Sequence, residues 1–150
     1  MSSSPGGEEE LRRLLAAYQQ HQDQAEALMR QLNLTRLTAE GLERALSAVE
    51  ALEKAEEGQE ILVPIGSGSF IHGKLASKEK IVLNAGAGVS IEKTTAQARE
   101  ILSARKAEVL EGSKKLNEAL SRVDSEIQKI QAVMQEFEES QQPPGSTGFV

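Results

Sequence analysis

The sequence predicts a mainly helical α+β chain: a long antiparallel coiled-coil helical hairpin with two β-hairpins at its hinge, which complete themselves as a β-barrel shared between subunits. Three observations carry this. Apolar residues recur every seven positions on both sides of the middle. The middle itself, ILVPIGSGSFIHGKLASKEKIVLNAGAGVSIEK from Ile61 to Lys93, is β-rich and broken twice by glycine turns. Composition favours long helices over a thick core: aromatics are 3% of the 150 residues and Trp is absent. Ala, Glu, Gln, Lys, Leu and Arg dominate outside the middle.

Residues 1–7 (MSSSPGG) have the Gly, Pro and Ser bias of a disordered tail. The first helix is predicted over 8–58. From Glu8 to Glu57 there is no Pro and Gly41 is the only Gly. With Leu11 as an a position, the a series is Leu11, Tyr18, Ala25, Leu32, Ala39, Leu46. The d series is Leu14, His21, Leu28, Thr35, Leu42, Val49, so one narrow seam runs along the helix. At 1.5 Å per residue such a helix reaches roughly 75 Å, more than a small globule can use. Glu8, Glu9 and Glu10 open it where its dipole favours negative charge, and Gly58 is the expected stop.

Residues 59–93 hold the two hairpins. Ile61 to Ile65 and Ser69 to Leu75 are joined by Gly66-Ser67-Gly68, and Lys80 to Asn84 and Val89 to Glu92 by Ala85-Gly86-Ala87-Gly88. Val89 and Ile91 alternate with Ser90 and Glu92. Ile61-Leu62-Val63 and Ile81-Val82-Leu83 instead offer apolar groups to both faces, as strands covered on two sides do. Pro64 places its strand at an edge or near an end. The second helix is predicted over 94–140, with Thr94 or Thr95 as its N-cap. Leu102, Val109, Leu116, Val123, Ile130 and Phe137 keep a strict spacing of seven, joined by Leu120, Ile127 and Met134, and this spacing implies a left-handed supercoil. QQPPGSTGFV, residues 141–150, reads as a second disordered tail.

If the chain folds back at its middle, positions whose numbers sum to about 151 face each other. Leu14 then meets Phe137, His21 meets Ile130, Leu28 meets Val123, Leu42 meets Val109 and Val49 meets Leu102. Near the hinge Arg105 faces Leu46 and Gly112 faces Ala39. These either weaken the seam or, for the small pair, let the helices approach closely, although Gly within a helix costs about 1 kcal/mol.

Four short strands on a two-helix stalk cannot cover both faces or hide their edges within one chain. The middle is therefore an assembly module, in which hairpins of several subunits pair edge to edge and close into barrels. The residues that serve this are Ile61, Leu62, Val63 and Ile65, then Phe70, Ile71 and Leu75, then Ile81, Val82 and Leu83, and finally Val89 and Ile91.

Several chemistries find no support. There is no Cys, so disulfides and thiolate sites are excluded. Net charge is −6 with both signs interspersed, so the basic footprint of a nucleic-acid binder is missing. No apolar run approaches the ~20 residues needed to span a membrane, and residues 1–7 lack the features of a signal peptide. A cytoplasmic location follows as an expectation. His21 and His72 stand far apart on this fold, so no metal site or catalytic triad assembles around them. Gly86-Ala87-Gly88 lacks a third Gly, a following Lys-Ser or Lys-Thr and a following helix, so it is a turn and not a phosphate loop. No enzyme activity and no cofactor are expected.

LVPIGSGSFIHGKL followed by KIVLNAGAGVSIEKTTAQA, flanked by two heptad helices, resembles the α-class subunit of prefoldin, whose β-class subunits carry a single hairpin. The resemblance spans roughly Glu8 to Ser140, and its specific part is Leu62 to Lys93. It implies an assembly of two α-class and four β-class subunits, with a double β-barrel body and six projecting coiled coils. Such assemblies hold unfolded client proteins between the tips without ATP and pass them to a cytosolic group II chaperonin. The tip positions that the helix alignment gives are Leu11, Leu14, Leu15 and Tyr18 with Val133, Met134 and Phe137. Partly splayed ends exposing Leu, Met and Phe suit many unfolded segments, because such side chains repack readily. Against this stands a structural or adaptor coiled coil that binds one defined partner, in which the same residues only close the helical hairpin.

Overall fold

The computed structural model describes residues 5–141. Its elements run α1 (Pro5–Lys54), β1 (Glu60–Gly66), β2 (Ser69–Lys74), β3 (Lys80–Gly86), β4 (Val89–Thr94) and α2 (Thr95–Gln141). Two long helices thus frame two small antiparallel hairpins, the mainly helical α+β class expected.

The helix ends differ from the sequence expectation in instructive ways. Helix α1 begins at Pro5, so Pro5, Gly6 and Gly7 are helical, with Pro in the first turn where its missing N–H costs nothing. Residues 1–4 and 142–150, which hold the rest of both expected tails, lie outside the described residues. At its other end α1 stops at Lys54. Gly58 adopts φ +82° and its N–H donates to the Leu75 carbonyl at 2.7 Å, while the Leu75 N–H donates to the Gln59 carbonyl at 2.9 Å. Gly58 therefore clasps the chain after β2 and does not itself end the helix. At the start of α2 the cap is Thr94: its hydroxyl accepts from the Gln97 N–H at 3.1 Å and its own N–H donates to Gln97 Oε1 at 3.1 Å. This reciprocal capping box satisfies two otherwise orphaned donors. The neighbouring Thr95 hydroxyl, buried, donates to the Lys78 carbonyl at 2.6 Å and fixes the entry to β3.

The chain divides into two compact units, residues 5–34 with 112–141 and residues 35–111. In the first, α1 and α2 pack antiparallel. Ala25, Val123 and Ile127 are buried, with Tyr18, Leu28 and Leu120 packed against them. Leu28 and Val123, paired by the sequence register, share this cluster. Leu11, Leu14, His21 and Leu32 of the predicted seam are half-buried, as are Ile130, Met134 and Phe137 opposite. Gly112 is half-buried, yet a Cβ added there meets no atom within 4 Å, so close helix approach is not what this glycine provides.

In the second unit Val49, Leu83, Ala98 and Leu102 form a core, bordered by Leu42, Ala45, Leu46, Ile81, Ile91 and Ile101. Val49 and Leu102, another predicted pair, lie at its centre. Arg99 Nη1 pairs with Glu53 at 2.9 Å and Lys106 with Glu43 at 3.8 Å, tying α2 to α1 across the seam. Two expectations are corrected here. The β3–β4 hairpin is not bare: Leu83, Ile81 and Ile91, named on the sequence among the assembly residues, pack on the helices of their own chain. Arg105 is not a seam defect either, since its long side chain leaves the seam and donates from Nη2 to the Asn84 carbonyl at 2.9 Å, anchoring the end of β3.

The hairpins are two copies of one design. Glu60 pairs with Lys74 and Lys80 with Thr94, and each later partner follows with every number raised by 20 (60 to 80, 74 to 94). Both carry a bulge, between Pro64 and Gly66 and between Asn84 and Gly86. Both then turn through three positive φ angles, Gly66, Ser67 and Gly68 in one and Gly86, Ala87 and Gly88 in the other. Glycine accepts that backbone freely, and a two-residue loop with φ positive at both positions matches the twist of the strands it joins.

Candidate functional site

Two surfaces stand out, one in each unit. The first is the open end of the helical pair, where α1 begins and α2 ends. A groove of about 340 Å³ runs there, lined by Leu15 and Tyr18 of α1 and by Gln131, Met134, Gln135 and Glu138 of α2. Leu15 is 47% exposed. Tyr18 sits at its inner end, where its hydroxyl accepts from Gln22 Nε2 at 3.0 Å and from Gln131 Nε2 at 3.5 Å, the second bond crossing from α2. The ring thus buries its body in the seam while its polar tip joins the helices.

Of the seven tip residues proposed from the sequence, Leu15, Tyr18 and Met134 come together in this groove. Leu11, Leu14 and Phe137 are half-buried seam residues, and Val133, 43% exposed, lies outside the groove lining. Gln131, Gln135 and Glu138 were missed, because heptad reasoning scores only apolar positions. Their signal is the spacing from Met134 of −3, +1 and +4, which sets Gln131 and Glu138 on the same helix face as Met134. His21, read as a d residue, is half-buried with its Nδ1 buried and without a hydrogen-bond partner.

The second surface is the β1–β2 hairpin. Val63 pairs with Ile71 and Ile61 with Gly73, so these share one face, while Leu62, Pro64, Phe70 and His72 share the other. A Cβ on Gly73 would lie 3.5 Å from Val63 and 3.7 Å from Ile61, consistent with that shared face. Neither face is covered by the described residues: Leu62, Val63, Ile65, Phe70 and Ile71 are all exposed, while Ile61 and Leu75 are half-buried. In β3–β4 the equivalent of the Ile61, Val63, Ile71 face is Ile81, Leu83, Ile91, and there it is docked on the helices. Its opposite face keeps Val82 outward, 67% exposed, among Lys80, Asn84, Ser90 and Glu92, and Val89 at the turn is exposed too. Beside β3 an apolar groove of about 400 Å³ opens between the strand and α1, walled by Ala45, Ala48, Val49 and Leu52 on the helix side. Monomers seldom leave apolar surface of this kind uncovered.

Among the described residues no cluster of His, Cys, Asp or Glu could hold a metal ion. No helix among them is long and apolar enough to cross a membrane.

Paired antiparallel helices with an apolar open end, and β-hairpins exposing unpaired edges and uncovered faces between them, define a coiled-coil subunit of a larger assembly. The family profile for prefoldin subunits matches residues 9–139, and the chain belongs to the prefoldin family, whose members are components of a chaperone complex. It is 54% identical over 118 residues to prefoldin subunit alpha of Methanothrix thermoacetophila, covering 78% of this chain and 77% of that protein. It is 34% identical over 133 residues to prefoldin subunit alpha of Pyrococcus horikoshii, covering 88% and 90% of the two chains. Among solved structures it resembles filamentous prefoldin from Methanocaldococcus jannaschii, with a TM-score of 0.67 at 23% identity over 78% of this chain and 97% of that one, a likeness of fold.

Proposed function

We propose that this chain is the α-class subunit of an ATP-independent holdase, joined through its hairpins to β-class prefoldin subunits in a cytoplasmic hexamer of two α and four β chains. It holds unfolded proteins at the open ends of its coiled coils and delivers them to a group II chaperonin. The observation that carries this reading is the apolar open end: Leu15 and Val133 are exposed and a groove floored by Leu15, Tyr18 and Met134 is free to receive a side chain. One such groove binds weakly, and several tips acting on one client give retention by effective concentration. The exposed apolar faces of β1–β2 support the assembly half of the reading, with Leu62, Val63, Ile65, Phe70 and Ile71 awaiting cover from other subunits.

Two experiments test it. Light scattering should report a defined hexamer only when the chain is mixed with β-class subunits; a well-behaved folded monomer in the mixture would remove the assembly role. Replacing Leu11, Leu15, Met134 and Phe137 together by Ser should leave that hexamer intact and abolish suppression of client aggregation. Unchanged suppression would mean that clients bind elsewhere.

A further inference from the structure

The groove at the open end is apolar on its floor and acidic at its mouth. Leu15, Tyr18 and Met134 supply the floor, Gln131 and Gln135 supply amides able to donate to and accept from an extended backbone, and Glu138 is the one ionisable carboxylate in the lining. The ion pairs among the described residues join other groups, and Glu138 takes part in none of them. Nor can α2 supply one further along, because Lys129 is the last basic residue of the sequence. Over residues 5–18 and 131–141 there are six carboxylates, Glu8, Glu9, Glu10, Glu136, Glu138 and Glu139, against Arg12 and Arg13. The open end thus carries −4 of the chain's net −6.

We propose that this groove selects unfolded segments in which a lysine or arginine neighbours a large apolar side chain: the apolar group seats on Leu15, Tyr18 and Met134 while the cation pairs with Glu138. The proposal rests on the client-holding reading and names the client class of that same site. At about 340 Å³ the groove lies at the low end of the ~300–1,000 Å³ typical of ligand sites, which suits one or two side chains and not a folded surface. Charge complementarity at an exposed rim discriminates more than it strengthens, because an acidic segment meets repulsion where a basic one meets attraction.

The test uses the full-length chain and two fluorescent peptides, identical except that a central Leu-Phe pair is flanked by Lys in one and by Glu in the other. At low ionic strength the Lys peptide should bind up to about fivefold more tightly by anisotropy, the ratio that ~1 kcal/mol for an exposed ion pair gives. The preference should fade in 1 M salt, where screening acts within about 3 Å. It should also shrink sharply in Glu138→Gln, an exposed substitution that leaves the seam untouched and keeps the other five carboxylates of this end. Equal binding of both peptides at low salt overturns the charge selection and leaves the client site standing, as does a preference undiminished in Glu138→Gln. Failure of both peptides to bind, or binding unaltered in the Leu15→Ser, Met134→Ser double variant, overturns the client-holding reading together with it.

Discussion

The equivalence of the two hairpins yields a paired perturbation with opposite expected outcomes. Leu83 and Val63 occupy the same place in the repeat, yet Leu83 is 7% exposed against Val49, Ala98 and Leu102, while Val63 is 38% exposed. Truncating a buried leucine to alanine removes its transfer free energy and leaves a cavity, together about 2–5 kcal/mol. Here the neighbouring groove beside β3 lets the site partly collapse, so Leu83→Ala should fall near the low end, about 2–3 kcal/mol. Val63→Ala on the isolated chain should stay within about 0.5 kcal/mol, as surface changes do. The assay is urea unfolding followed by circular dichroism, at concentrations where the association state stays constant, with hydrogen exchange at Ile81 and Ile91 as a local probe. On the proposed assembly, the ranking should change when β-class subunits are added, since Val63→Ala would then remove packing between subunits. Equal, small losses for both variants in the isolated chain would refute the docking of β3–β4 on the helices. A large loss from Val63→Ala alone would show that β1–β2 has cover within its own chain.

Three further outcomes are expected. Gly112→Ala should stabilise the helical pair by up to about 1 kcal/mol, because the added Cβ meets no atom within 4 Å and alanine is the better helix former; thermal melts check it. Thr94→Ala should cost about 1 kcal/mol by breaking the capping box with Gln97, with faster amide exchange confined to the first turn of α2. His21→Leu should stabilise the chain by about 1 kcal/mol in chemical denaturation, since it removes a buried Nδ1 that has no partner and supplies an apolar group to the seam.

The seam was legible because a seven-residue repeat has one geometric solution. Leu28 with Val123 and Val49 with Leu102 meet as the folded-back numbering requires. The hairpins were legible from their turns, where glycine before and after Ser67 and Ala87 marks a backbone that few residues accept. What covers a strand face was not legible. Ile81-Val82-Leu83 signals cover on both sides, but local pattern cannot say whose atoms provide it, and Ile81 and Leu83 turn out to be covered by the chain's own helices. Arg105 misled for a related reason, as a flexible side chain can leave a seam position for a carbonyl 21 residues away in sequence. At the open end the apolar half of the groove was visible in Leu15, Tyr18 and Met134. Its polar half was not, because amides and a carboxylate on a helix flank are indistinguishable in sequence from an ordinary solvated face.

The unequal treatment of the two hairpins also imposes an order on synthesis. β1–β2 is complete once Lys74 has emerged from the ribosome, and no later residue among those described covers its faces. β3–β4 cannot dock until Ala98 and Leu102 have emerged as well, 28 residues after Lys74 (74 to 102). At ~5–20 residues per second that interval lasts roughly 1–6 s. Throughout it the first hairpin is already finished and open to another chain, while the second still lacks the helix it must rest on. Joining a neighbour can therefore begin on the ribosome, before the chain has closed upon itself.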